Sequence, residues 1–154
     1  MSGFLTPTTP NQTDYTTFLR GHVGIGPDPL PDDSMWITTT LAIAQDVVND
    51  QLNQVQPIIY TLAVYNYAAD RLINFAIDVG GLTYFRDLRS QLGINVFAAG
   101  VVASSSDQGT SQSLEVLRSM KGLTIGQMQM MKTIYGRQYL DFAQAYGPSP
   151  WGLT

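Results

Sequence analysis

The stretch Pro57–Asp78, PIIYTLAVYNYAADRLINFAID, decides the fold. It is the longest part of the chain that is both apolar and free of interior Gly or Pro. Ile58, Leu62, Tyr65, Ala69, Leu72 and Ala76 recur at helical spacing. Ile59, Ala63, Ile73, Phe75 and Ile77 widen that stripe almost all the way round. What stays polar is one line at i, i+4, namely Asn66, Asp70, Asn74 and Asp78. A helix with so narrow a polar strip is mostly buried. Pro57 suits the first turn, where a missing N–H costs nothing. Gly80-Gly81 supplies the stop. The pattern predicts a central helix of about six turns, around which a mainly α fold, a small helical bundle, is expected to pack.

Working back from this helix, Ile37, Leu41, Ala44, Val48, Leu52 and Val55 make an apolar stripe. They predict a helix near 33–54, with Asp32 or Asp33 as its N-cap. Gln56 precedes a proline and is biased out of the helical region. The two helices therefore form a hairpin or a sharply kinked pair. Gly21–Pro31, GHVGIGPDPLP, is punctuated by Gly and Pro and reads as loop. A short helix over Gln12–Arg20 would carry Tyr15, Phe18 and Leu19 on its apolar side. Residues 1–11, MSGFLTPTTPN, read as extended. Residues 1–31 are thus expected to be an arm and loop, in which Phe4, Leu5, Phe18 and Ile25 favour docking on a neighbour over solvation.

Working forward, Leu82–Leu92 reads as a helix capped by Thr83 and stopped by Gly93. The β-branched run Val96–Ala103, the polar cluster Ser104–Ser111 and Ser113–Leu117 predict a β-hairpin inserted near 95–117. Its tip, with Asp107, is either a contact finger or an inert turn. Thr124 is an N-cap candidate for a helix to about Thr133, with Ile125, Met128 and Met131 inward and Met130 available to an interface. Gly136 separates that helix from a last one near 137–146. Gly147-Pro148-Ser149-Pro150 ends it and leaves a tail, 147–154. The core domain is expected over 32–146. Trp151 in that tail either folds back on its own domain or anchors in a partner pocket, where tryptophan is enriched as a hot spot.

Composition bounds the function. The chain has 154 residues, enough for one domain with a real core, and no cysteine, which excludes disulfide and thiolate chemistry. Charged residues make up 13% and the net charge is −4, with no dominant basic patch, which argues against sequence-specific nucleic-acid binding. No apolar run is long enough to span a membrane and no signal peptide opens the chain. Charge is unevenly laid out. Residues 1–50 carry Asp14, Asp28, Asp32, Asp33, Asp46 and Asp50 against Arg20. Residues 82–137 carry Arg86, Arg89, Arg118, Lys121, Lys132 and Arg137 against Asp87, Asp107 and Glu115. Either the halves neutralise each other within a monomer, or they suit head-to-tail contact between copies.

Chemical motifs are weak. His22 with Asp28, Asp32 and Asp33 lacks metal-ligand spacing, and acids are expected at a helix start. Gly24-Ile25-Gly26-Pro27 follows no strand and is not a dinucleotide fingerprint. Ser104–Ser111 lacks the Gly-Lys-Ser/Thr close of a phosphate loop. No nucleophile elbow or paired acid/base carboxylates stand out. Asp70 beside Arg71 would titrate abnormally if buried, and such a pair more often satisfies hydrogen bonding along a packed helix. No catalytic residue, cofactor or metal site is assigned.

Tyr135-Gly136-Arg137-Gln138-Tyr139-Leu140, Ala143-Gln144-Ala145-Tyr146-Gly147 and the closing Trp151-Gly152-Leu153 resemble small structural proteins of tailed bacteriophages. Tyr60–Ala76 and Ser104–Thr110 add to the likeness, which runs over roughly 57–154. The resemblance implies a virion neck component: a head–tail connector, adaptor or head-completion protein. It would form a homo-oligomeric ring, a dodecamer in many such proteins, between the portal protein and the tail or neck proteins. DNA would pass through the ring without sequence-specific binding, and an acidic lining would let it slide. The interface candidates under this reading are Phe4, Leu5, Tyr15, Phe18, Asp107, Met130, Arg137, Trp151 and Leu153. Two alternatives stand beside it. One is another virion component, a tail terminator or minor capsid protein. The other is a small-molecule-binding helical domain using Asp70, Arg71 and Asn74.

Overall fold

The computed structural model describes residues 9–94 and 125–146, and these fold as a mainly helical body with no strand among them. The elements are α1 (Gln12–Phe18), a π-helical turn (Leu19–Val23), α2 (Met35–Val47), α3 (Gln51–Val55), α4 (Pro57–Phe75), α5 (Tyr84–Gln91), α6 (Ile125–Met130) and α7 (Ile134–Tyr146). The β-hairpin expected near 95–117 lies outside the described residues.

Helix α4 packs against α2, α3, α5 and α7. It is shorter than the pattern predicts, ending at Phe75 with Ala76 as C-cap in extended backbone. The reason is beyond the helix. Arg89 of α5 donates to the carbonyls of Ile73 and Ala76, at 3.0 and 2.8 Å, so the last turn's acceptors are satisfied without further helix. Ile77 therefore leaves the apolar face and stands 68% exposed, and Phe75, the last helical residue, is 54% exposed. Asp78, assigned to the polar line, instead accepts the backbone N–H groups of Phe85 (2.6 Å) and Arg86 (3.1 Å). It caps α5 in place of Thr83, whose side chain makes no cap bond. The turn between uses Gly81 at φ +85°, a left-handed conformation that favours glycine.

The polar line of α4 also changes place. Asn66 and Asp70 are buried, while the apolar stripe loses Ile58, which is exposed. Tyr65, Ala69 and Leu72 are fully buried as the spacing predicts. A large apolar side chain such as Leu72 contributes about 1.5–3 kcal/mol by leaving water.

The predicted helix 33–54 is divided. Ser34, not Asp32 or Asp33, is the N-cap and accepts from Trp36 N–H. Val48 is extended, and α3 follows as a separate turn. Asp46 and Asp50 both act on Tyr60 in the first turns of α4. Thr40, farther back in α2, bonds Tyr15, whose ring stacks on Tyr65. Helices α2 and α4 are thus antiparallel.

The N-terminal segment is not an arm from Asn11 onward. Asn11 caps α1 by accepting from Asp14 N–H at 2.8 Å, and its own N–H donates to Tyr65 Oη at 3.2 Å. Tyr15, Phe18 and Leu19 are in the core with at most 1% exposure. The rings of Tyr15 and Phe18 each lie 5.7 Å from that of Tyr65. Three large apolar side chains on a short helix and the turn that continues it are worth more buried here than held in water for a partner. The Gly/Pro loop that follows is organised by Arg20. Its guanidinium donates to the carbonyls of Ile25 (2.9 Å), Gly26 (3.0 Å) and Leu30 (2.6 Å) and pairs with Asp32. Ile25 and Leu30 are held in the core as a result.

Candidate functional site

The polar residues that chemistry would need converge where α4 meets α7. Thr133 directly precedes α7, and its Oγ1 accepts the Gly136 N–H at 2.9 Å, an N-cap bond to the third helical position. The same hydroxyl donates to Asp70 Oδ1 at 2.5 Å. The other carboxylate oxygen, Oδ2, accepts from Arg71 Nη2 at 2.8 Å and Nε at 3.2 Å. A negative charge is thereby held at the start of α7, where the helix dipole favours it.

Gly136 permits this approach. A Cβ there would stand 2.1 Å from the Met130 carbonyl oxygen and 2.7 Å from Asp70 Oδ1. Gly136 lies inside α7, so it does not separate two helices as its sequence position predicts. The break is earlier, at Met131–Thr133, between α6 and α7.

Arg71 is fixed on both sides. Its guanidinium carbon lies 5.5 Å from the Tyr67 ring centre and 5.4 Å from that of Phe75. Tyr67 meets Tyr139 of α7 edge to face at 5.0 Å. Burial raises the Tyr139 pKa to about 12, with the neighbouring Tyr67 adding to it. Asn74 Nδ2 donates to the Asp70 carbonyl at 2.7 Å and Asn66 Nδ2 to the Leu62 carbonyl at 2.8 Å. Asn66 Oδ1 is buried without a hydrogen-bond partner.

Desolvation pushes the Asp70 carboxyl above its ordinary pKa, against the opposing pulls of Thr133 and Arg71. Its side chain has no exposed surface and both oxygens are engaged inside the chain. The arrangement clamps α7 onto α4, and it leaves the carboxylate no path to a substrate without parting the helices.

The interface candidates are distributed differently. Tyr15 and Phe18 are core residues. Met130, expected at an interface, is 7% exposed and joins the same core, because α6 turns it inward beneath α7. Met131 packs against that core only in part. Arg137 is exposed on α7. Phe4, Leu5, Asp107, Trp151 and Leu153 lie outside the described residues. His22 is exposed and its ring lies 4.9 Å from that of Phe18. Among the described residues no group of three or more His, Asp or Glu side chains could hold a metal ion, and no helix is long and apolar enough to cross a membrane.

Sequence reasoning took Thr133 as a helix end and Gly136 as a break, and missed the cap and the close approach that they form at the start of α7. A threonine immediately before Ile134, with a glycine three positions on, carries the signal of a capped start with close packing. It passed over the corner between α4 and α5 as well. There Phe75, Ile77, Val79 and Leu82 are all exposed, at 54, 68, 43 and 42%. The corner is held by the Asp78 cap, the Arg89 bonds and a Leu82 N–H to Val79 carbonyl turn of 2.9 Å. Compared with protein-family models, with curated proteins and with solved structures, the chain finds no match.

Proposed function

We propose that the chain is a structural component of a tailed-phage virion, a neck protein that joins the portal to the tail as one subunit of a ring. The observation that carries this reading is the apolar corner Phe75–Leu82. Four large side chains stand in water on a segment fixed by the Asp78 cap and the Arg89 bonds. An apolar projection whose backbone is held in this way suits protein contact, since little backbone ordering is left to oppose docking. The likeness of Tyr135–Gly147 and Trp151–Leu153 to phage structural proteins supplies the kind of assembly. In this reading the chain is not an enzyme, and Asp70, Arg71 and Thr133 serve the geometry of the body.

The test is the mass of the native particle from its source, by light scattering or electron microscopy, with co-purifying proteins identified. A ring or larger complex containing a portal-like protein is expected. A monomer in particles and lysate, with no partner, overturns the reading. Partner identity separates a connector from a tail terminator or minor capsid protein.

A further inference from the structure

The two ends of α4 differ in character. At its start stand Ile43, Val47 and Ile58, 39, 49 and 37% exposed, beside the exposed Asp46 and Asp50. No lysine or arginine occurs anywhere in residues 21–70. At its finish stands the apolar corner, with arginines beside it. Arg71 lies against Phe75 and is paired with Asp70, Arg86 is exposed, and Arg89 holds the end of α4. The aspartates of that end are each engaged within the chain: Asp70 with Thr133 and Arg71, Asp78 with the α5 N-terminus, Asp87 with Thr83. Tyr60 and Phe75, which mark the two ends, are separated by about 22 Å along the helix. One copy cannot bring its acidic end to its own basic end. A two-fold contact through either end would place like charge against like.

We propose that a second copy of this chain docks head to tail, with the acidic end around Ile43, Val47 and Ile58 seated on the apolar corner of the next copy. Asp46 and Asp50 then face the exposed Arg86 across the rim, and exposed apolar surface is buried on both sides. Both patches are used once per copy, so the contact repeats until a ring closes or a filament grows. This deepens the assembly reading and rests on it for the identity of the occupant.

The absence of cysteine makes the contact directly testable in the full chain. Val47→Cys and Ile77→Cys are placed in separate chains and oxidised alone and mixed. The mixture is expected to form a disulfide dimer that neither variant forms alone, and a chain carrying both is expected to form a ladder. Asp46→Arg should abolish the mixed dimer, and Arg86→Asp in the partner should restore it. Cross-linking of Val47→Cys with itself, or no mixed dimer at the highest soluble concentration, overturns the proposal. The two readings fail separately. Rings in native particles without the mixed cross-link would reject this contact alone. The cross-link without virion partners would reject the phage role alone.

Discussion

Thr133 Oγ1 lies 2.5 Å from Asp70 Oδ1, so one hydroxyl ties α4 to the first turn of α7. It donates to the carboxylate and accepts the Gly136 N–H, and neither bond reaches water. Asp70→Ala leaves Arg71 without its anion and Thr133 without its acceptor. It is expected to destabilise by about 3–5 kcal/mol, the cost of breaking a buried pair from one side. Thr133→Val should cost about 1–3 kcal/mol for the orphaned groups. The double variant should cost less than the two added, because each removes the other's partner. Urea unfolding checks this, and strict additivity would show that the two groups act independently.

Gly136→Ala sets two effects against each other. Helix propensity favours alanine by about 1 kcal/mol. Against it, the new methyl meets backbone at the Met130 carbonyl and the Asp70 carboxylate, neither of which is the free end of a flexible side chain. Overpacking of this kind costs about 3 kcal/mol, so net destabilisation is expected. A thermal melt that rises on substitution would mean α7 shifts freely on α4.

The stripe Tyr65, Ala69, Leu72 was legible because burial follows helical periodicity. The fate of the polar line Asn66–Asp70–Asn74 was not, because whether a polar stripe meets solvent or another helix depends on a capping hydroxyl sixty-three residues away in sequence. The same holds for the end of α4. Periodicity continues through Ile77, but Arg89 and Asp78 close the helices with tertiary bonds that no local pattern encodes. Tyr15 and Phe18 were legible as apolar, and their destination was not, since composition cannot distinguish a core beneath Tyr65 from a pocket on a neighbour.

Arg20 replaces regular structure over Gly24–Pro31 by bonding three carbonyls. Arg20→Met keeps the aliphatic stem and removes those bonds. A loss of about 2 kcal/mol is expected, with faster proteolysis near Gly24–Pro29. Asp32→Asn removes only an ion pair whose acid is 75% exposed and should cost under about 1 kcal/mol. Equal effects from both would place the stabilisation in the ion pair instead of the carbonyl bonds.

Asp78→Ala removes the two bonds that start α5. The body should lose about 1 kcal/mol, as for an N-cap. The corner Phe75–Leu82 should loosen more than the rest, because its shape depends on that cap. Amide exchange of Phe85 and Arg86 is expected to quicken while Leu72 and Ile73 stay protected. Uniform quickening across α4 would mean the corner and the core open together.

Asp70 sets a pH dependence of definite sign. Its folded-state pKa lies above the ordinary value of 3.8, because desolvation outweighs Thr133 and Arg71. Between those two values the folded chain holds a proton that the unfolded chain releases. Stability from this group is therefore fully present below the ordinary value and is lost as pH rises through the folded pKa. The charges facing it are Arg71 on its own helix and, from α7, the Thr133 hydroxyl and the Gly136 N–H dipole. Asp70→Asn cannot ionise, so the stability of the native chain minus that of the variant should fall as pH rises above 3.8. Matched urea titrations across that range measure the difference. A difference that stays flat, or grows with pH, would mean that Arg71 and Thr133 overcome the cost of burying the charge.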